Sequence, residues 1–296
     1  FNEKQRRCLL VMATGTGKTF TALGCLEEAL KDSSKLLTEV VIFCISQKIT
    51  TFVIMNNQTT YRYQVTTQNV DFTLRASIAS LGNYILNTAG IDAQGKGFGV
   101  DTLSPLGLTW VLSRFVIEID SRPEQFSDFD LTTWVNKNSR LVSTRNFTLA
   151  DTNGNVFIRS LSQWCMLDYN KRTPVALSVI EEGYAPYISL VESPCSAPMR
   201  LKAIEAEVVK EHRVAYSDID FNRHMNTMRY IGLMLDMVDI EHLTANRPLR
   251  IDVHFIAECL YGQTIKVCMQ TTDTATLFEV TRDDGTVACR AAFSWK

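Results

Sequence analysis

Long apolar runs are absent from this 296-residue sequence: no stretch of 18 apolar residues occurs, so no membrane-spanning helix is expected. A basic-then-apolar leader is missing too, so the chain reads as soluble and cytoplasmic. Excess positive charge is also missing. The formal net charge is −2, which argues against a strongly basic nucleic-acid binder. Histidine occurs only as His212, His224, His242 and His254, without spacing of the H-E-x-x-H kind, and the eight cysteines contain no C-x-x-C. No metal and no cofactor is expected, and scattered thiols fit a reducing compartment. What the chain does have is apolar mass. Hydrophobic residues make up 46%, ample for a core, in a length that suits one or two domains.

Residues 1–54 read as a segment apart. Cys8–Ala13 (CLLVMA) has the look of a buried strand running into TGTGKT and a helix to about Ala29, the pattern of a P-loop. There Gly15 and Gly17 would let backbone amides close on phosphate, Lys18 would reach the outer phosphates and Thr19 would hold magnesium. The run Met12–Thr19 resembles motif I of superfamily 2 helicases and restriction-enzyme motor subunits. A segment this short cannot supply the Walker B carboxylate and further motifs that phosphoryl transfer needs. Phe115–Asp120 (FVIEID) imitates a Walker B strand, but its alternation fits an ordinary half-buried strand. Residues 1–54 are therefore expected to be an incomplete P-loop fragment, joined by fusion or a gene-boundary error to a protein starting near Met55.

The densest chemistry lies in Tyr216–Asp236 (YSDIDFNRHMNTMRYIGLMLD). Met225, Met228, Ile231 and Leu235 follow at steps of three and four, which predicts a helix with one buried face. Asn222 is a candidate N-cap, which would bring Asp220, Asn222 and His224 close to the helix N-terminus. Caps and structural histidines are the commoner roles of such residues taken singly. Together, Asp220-x-Asn222-x-His224 at alternate positions predicts an extended backbone with three polar side chains on one face.

Upstream, Tyr63–Phe72 alternates as a strand, and Arg75–Ala89 reads as a helix with Ile78, Leu81, Ile85 and Ala89 on one face and Gly90 as its stop. Strands are expected over 108–119, 129–136, 140–150 and 156–167, with a hairpin at Asp151-Thr152-Asn153-Gly154. The second half repeats this plan. Phe147, Asn153-Gly154, Val156, Arg159 and Trp164 have counterparts 131 residues later in Phe278, Asp284-Gly285, Val287, Arg290 and Trp295. Asp71, before the first helix, likewise answers Asp220. Two copies of one α+β unit are implied, joined by a linker over 181–198 in which Pro186, Pro194 and Pro198 break regular structure.

Asp220-x-Asn222-x-His224, followed by Asn226 and Tyr230-Ile231, resembles the signature of the acyl-ACP thioesterases, and Glu258-Cys259, 34 residues beyond His224, resembles that family's downstream Glu-Cys pair. The similarity runs over most of 55–296, including Trp110–Arg114, Arg145-Asn146-Phe147 and Trp164. It implies a tandem double hotdog, a long helix wrapped by antiparallel sheet twice over: 55–185 as the pocket-forming half and 199–296 as the catalytic half. It implies release of fatty acid from acyl carrier protein, with Asp220, Asn222, His224 and Glu258 as site residues. Glu258 is expected on a strand, shielded by Phe255 and Ile256, with Cys259 facing away as the alternative nucleophile. The acidic carrier calls for a basic landing surface, from Lys137, Arg140 and Arg145 or from Arg200, Lys202, Lys210 and Arg213. Monomer and homodimer both stay open. A non-catalytic acyl-binding hotdog and an ATP-dependent helicase-related fragment are the rival readings.

Overall fold

The computed structural model describes residues 41–45, 48–52 and 57–295. Contacts divide the chain into two compact units, residues 1–57 with 189–191 and residues 58–188 with 192–296. In the smaller unit, β1 (Val41–Ile45) and β2 (Lys48–Phe52) pair antiparallel. The P-loop reading of Gly15, Gly17, Lys18 and Thr19 lies outside the described residues.

The larger unit is built on an eleven-stranded sheet whose order repeats itself in mirror image. Its first half comprises β3 (Thr59–Gln64), β4 (Leu108–Ile119), β5 (Asp128–Asn138), β6 (Val142–Asp151) and β7 (Val156–Asp168), with the short β8 (Pro174–Val175) beside β7. The second comprises β9 (Val208–Arg213), β10 (Leu249–Phe255), β11 (Thr264–Thr271), β12 (Thr276–Arg282) and β13 (Val287–Trp295). Read outwards from the junction the orders are β4-β7-β6-β5-β3 and β10-β13-β12-β11-β9. The halves join where β4 and β10 pair antiparallel, with Ile117 opposite Ile251. The two hairpins matched in sequence close through left-handed glycines, Gly154 at φ 86° and Gly285 at φ 80°, where a side chain would be strained. Phe115–Ile119 ends β4 as an ordinary strand, but not a half-buried one: Phe115, Val116 and Ile117 are all fully buried, so the strand is covered on both faces here.

Each half carries one long helix against the sheet. α1 (Ile78–Gly95) buries the expected Ile78, Leu81, Ile85 and Ala89. It does not stop at Gly90: a glycine costs a helix about 1 kcal/mol, and the following turn offsets this by placing Asp92, 1% exposed, against Lys96 and Arg145. α2 (Val100–Leu103) follows, and α3 (Glu181–Tyr184) occupies the segment expected to lack regular structure. The strand expected over 63–72 ends at Gln64, because Thr66–Asn69 closes into a turn through Asn69 N–H to Thr66 O. In the second half α4 (Thr227–Leu235) buries Met228 and Ile231, and α5 (Ile240–Thr244) follows it. The two long helices meet at Gly82, where an added Cβ would lie 2.4 Å from the Met228 thioether. Their apolar faces share one core with the strands, including Phe115, Phe147, Phe278 and Phe293. This is the α+β tandem double hotdog, a long helix wrapped by antiparallel strands twice over.

Candidate functional site

The loop that enters α4 is fixed from beneath by Asp218, a fully buried carboxylate. It accepts from the Ala215 N–H at 2.8 Å and from Arg229 Nε at 2.8 Å, and lies 2.7 Å from His212 Nε2. Burial alone would raise its pKa. Hydrogen bonds from Ala215, His212 and Arg229 outweigh that and hold the carboxyl below the usual carboxylate range. The Asp218 carbonyl accepts from the Asn226 N–H, fixing where the helix begins.

Between those two anchors the chain is not extended. Asp220 Oδ1 accepts from the Asn222 N–H at 2.8 Å and from the His224 N–H at 3.4 Å, while the Asp220 N–H donates to His224 O and the Arg223 N–H to Asp220 O. Arg223 sits at φ 65°, in the left-handed region. The alternating strand expected for Asp220, Asn222 and His224 is thus a tight turn, because a short carboxylate captures amides two and four residues ahead. Asn222 is not the N-cap either. Asn226 is, with its side-chain oxygen accepting from the Met228 N–H at 2.8 Å.

Glu258 also departs from expectation. β10 ends at Phe255, so Glu258 stands on the irregular segment that follows. That segment lies along the site loop: the Met225 N–H donates to Cys259 O, and His224 forms a bridge with Leu260. The consequence is convergence across 34 residues of sequence, with His224 Nε2 and Glu258 Oε2 3.2 Å apart, their side chains 22% and 32% exposed. The two groups are within reach of a hydrogen bond and accessible to water.

Cys259 points the other way. It is fully buried, its N–H donates to the Tyr230 hydroxyl at 3.1 Å, and burial pushes its thiol up, disfavouring the thiolate. Arg145 leaves the set of landing-surface candidates, since it is 3% exposed and ion-paired with Asp92 at 2.6 Å. Lys137, Arg140, Arg200, Lys202, Lys210 and Arg213 are exposed. Three neighbours of the site went unassigned in the sequence. His212 and Arg229 clasp Asp218, whose place in the crowded stretch was the available signal. Arg172 donates to Glu258 Oε2 from 86 residues upstream, and no motif marks it.

A cleft of about 740 Å³ opens beyond the other end of α4, lined by Met237, Val238, Met269 and Trp295 among others, and is not lined by His224 or Glu258. Among the described residues no His/Cys/Asp/Glu grouping fit for a metal occurs, and no helix is long and apolar enough to cross a membrane.

Residues 201–296 match the family model for the acyl-ACP thioesterase C-terminal domain, and residues 50–187 match that for the N-terminal domain. Residues 1–73 match the model for the type III restriction enzyme res subunit, which overlaps the start of the larger unit. The solved structure of an acyl-ACP thioesterase from Bacteroides thetaiotaomicron is 34% identical at TM-score 0.74, covering 81% of this chain and 98% of that one. The 12:0-ACP thioesterase from Umbellularia californica, 16% identical at TM-score 0.71 over 83% of this chain and 99% of that one, shares the fold. A chloroplastic oleoyl-acyl carrier protein thioesterase from Coriandrum sativum is 24% identical over 208 residues, 64% of this chain. The chain spans 56–59% of the length of this relative and a second one from Arabidopsis thaliana.

Proposed function

Because this chain belongs to the acyl-ACP thioesterase family, we propose that it hydrolyses acyl carrier protein thioesters to free fatty acid, at a site made by His224 and Glu258. The observation that carries this reading is the 3.2 Å approach of imidazole to carboxylate beside the start of α4. A thioester needs a base for water and donors for the oxygen that becomes negative. The pair takes a proton from water as the water oxygen bonds to the acyl carbon. The tetrahedral intermediate then expels the carrier thiolate, which receives that proton. Asn222 is the proposed donor to the oxyanion. Asp220 acts by shaping the turn that presents Asn222 and His224, which is what its two backbone hydrogen bonds support.

In this reading residues 199–296 are the catalytic hotdog, residues 55–185 supply acyl-pocket walls, and the segment 1–54 takes no part in hydrolysis. The carrier approaches from the cytoplasm over exposed basic residues, among them Lys171 and Arg223, the sequence neighbours of Arg172 and His224. The test is to incubate the full chain with acyl-ACP and follow free fatty acid. Turnover should fall about 1,000-fold in His224→Ala and in Glu258→Gln. Binding of acyl groups without release, unaffected by either change, would instead establish a non-catalytic hotdog.

A further inference from the structure

We infer that Arg172 is a positioning residue for Glu258, supplied to the hydrolytic pair by the opposite half of the chain. This rests on the reading of His224 and Glu258 above. Arg172 closes the turn between β7 and β8 at φ 56°, with its N–H donating to Asp168 O. The same turn is tied from within by Asp168, whose Oδ1 accepts from the Asn170 N–H at 3.0 Å and the Lys171 N–H at 2.8 Å. From this anchored backbone Arg172 Nη2 reaches Glu258 Oε2, the same oxygen that stands 3.2 Å from His224 Nε2.

Glu258 needs such a partner. It lies outside the strand ladder, about a third exposed, and a glutamate free to sample its rotamers loses time in the productive geometry. A charge-assisted bond from a guanidinium carried on this anchored backbone favours one rotamer and leaves the shared oxygen facing the imidazole. Arg172 is itself 41% exposed, so the pair adds little to folding stability. Its effect is on geometry, and a misplacement of one ångström at a reacting group costs about 100-fold in rate.

The experiment uses the full chain carrying Arg172→Ala, Glu258→Gln or both, assayed on acyl-ACP and on a carrier-free acyl-pantetheine thioester. Arg172→Ala should lower kcat about 30- to 100-fold on both substrates, with KM within about threefold. In the Glu258→Gln background it should change nothing further. An equal loss in both backgrounds overturns the inference, as does a loss confined to KM for the carrier-bound substrate, which would make Arg172 a docking residue. The imidazole NMR signals of His224 supply a readout that needs no turnover: Arg172→Ala should change them by loosening the imidazole–carboxylate contact, seen as faster exchange of the ring N–H with water, which Glu258→Gln should also produce. If the wild-type chain releases no fatty acid, the proposed function fails while this measurement still decides the inference, and unmoved His224 signals sink it.

Discussion

The two hotdog halves fold the same corner with the same backbone and fill it with opposite chemistry. Asp71 and Asp220 stand 149 positions apart, and each accepts from the amide two residues on, Thr73 at 2.9 Å and Asn222 at 2.8 Å. Leu74 and Arg223 take the same left-handed turn at φ 59° and 65°, and Ser77 and Asn226 cap the helices that follow. The segment that docks on this corner is equivalent too: Ala76 N–H donates to Pro123 O as Met225 N–H donates to Cys259 O. By that register Arg75 occupies the place of His224 and Arg122 the place of Glu258. In the first half Arg122 pairs with Asp71, and Arg75 with Glu124 at 2.8 Å, so each charge is held by an opposite one. The second half keeps the frame but places an imidazole against an accessible carboxylate. A backbone corner is thus compatible with chemistry without causing it; in the proposed reading Asn222, His224 and Glu258, standing where the first half has Thr73, Arg75 and Arg122, separate site from scaffold.

The largest effect follows from converting one corner into the other. Replacing His224 with arginine, its counterpart's residue, should cost about 1,000-fold in turnover on acyl-ACP while the melting temperature stays near that of the wild type. A His224→Arg variant that kept wild-type turnover would dissolve the distinction between the halves.

Next is the ion pair of the quiet corner. Arg122, 5% exposed, holds Asp71 and also donates to Ala76 O and Leu243 O. Burial would raise the Asp71 pKa, but hydrogen bonds from Thr73 and Arg122 outweigh it and depress it. A depressed carboxyl adds stability above its unfolded pKa of about 4 and loses it as pH falls through the folded value. Arg122→Ala should therefore lower unfolding free energy by about 1–3 kcal/mol at pH 7, and this deficit should shrink below about pH 4. Denaturant melts at both pH values check it; a deficit independent of pH would mean that the guanidinium acts through its carbonyl contacts alone.

How much of this was legible in the sequence depended on whether the signal was local. The 131-residue repeat, the hairpin glycines and the buried stripe of α1 were readable because spacing fixes them. His224 stood out within its crowded stretch, but its pairing with Glu258 was nameable only through resemblance, since their meeting is set by the Met225 amide docking on Cys259 O and His224 bridging to Leu260. The extended reading of Asp220-x-Asn222-x-His224 failed for a local reason: the Asp220 side chain competes with strand geometry for nearby amides. Gly90 misled because the pull of buried Asp92 is tertiary. Arg172 had no signal at all.

Cys259 corresponds to Pro123 in the quiet corner, a residue with no nucleophile. Cys259→Ala should leave kcat within about threefold, and lose about 1 kcal/mol of stability for the vacated volume. A loss of turnover comparable to that of Glu258→Gln would move the nucleophile to the thiol.

The smallest effects belong to the caps, and they separate the halves most cleanly because the two bonds are so alike. Ser77 accepts from the Ser80 N–H at 3.1 Å and Asn226 from the Met228 N–H at 2.8 Å, so alanine at either position should cost about 1 kcal/mol. Their functional consequences should differ. Asn226 stands two residues from His224, so loosening the first turn of α4 shifts the imidazole, whereas Ser77 adjoins a corner that holds Arg–carboxylate ion pairs in place of the imidazole and Glu258. Asn226→Ala should lower kcat about fivefold, well under the cost of a full ångström of misplacement, and Ser77→Ala should leave it unchanged. Equal kcat losses at equal stability would mean that the rate follows global stability rather than the local placement of His224.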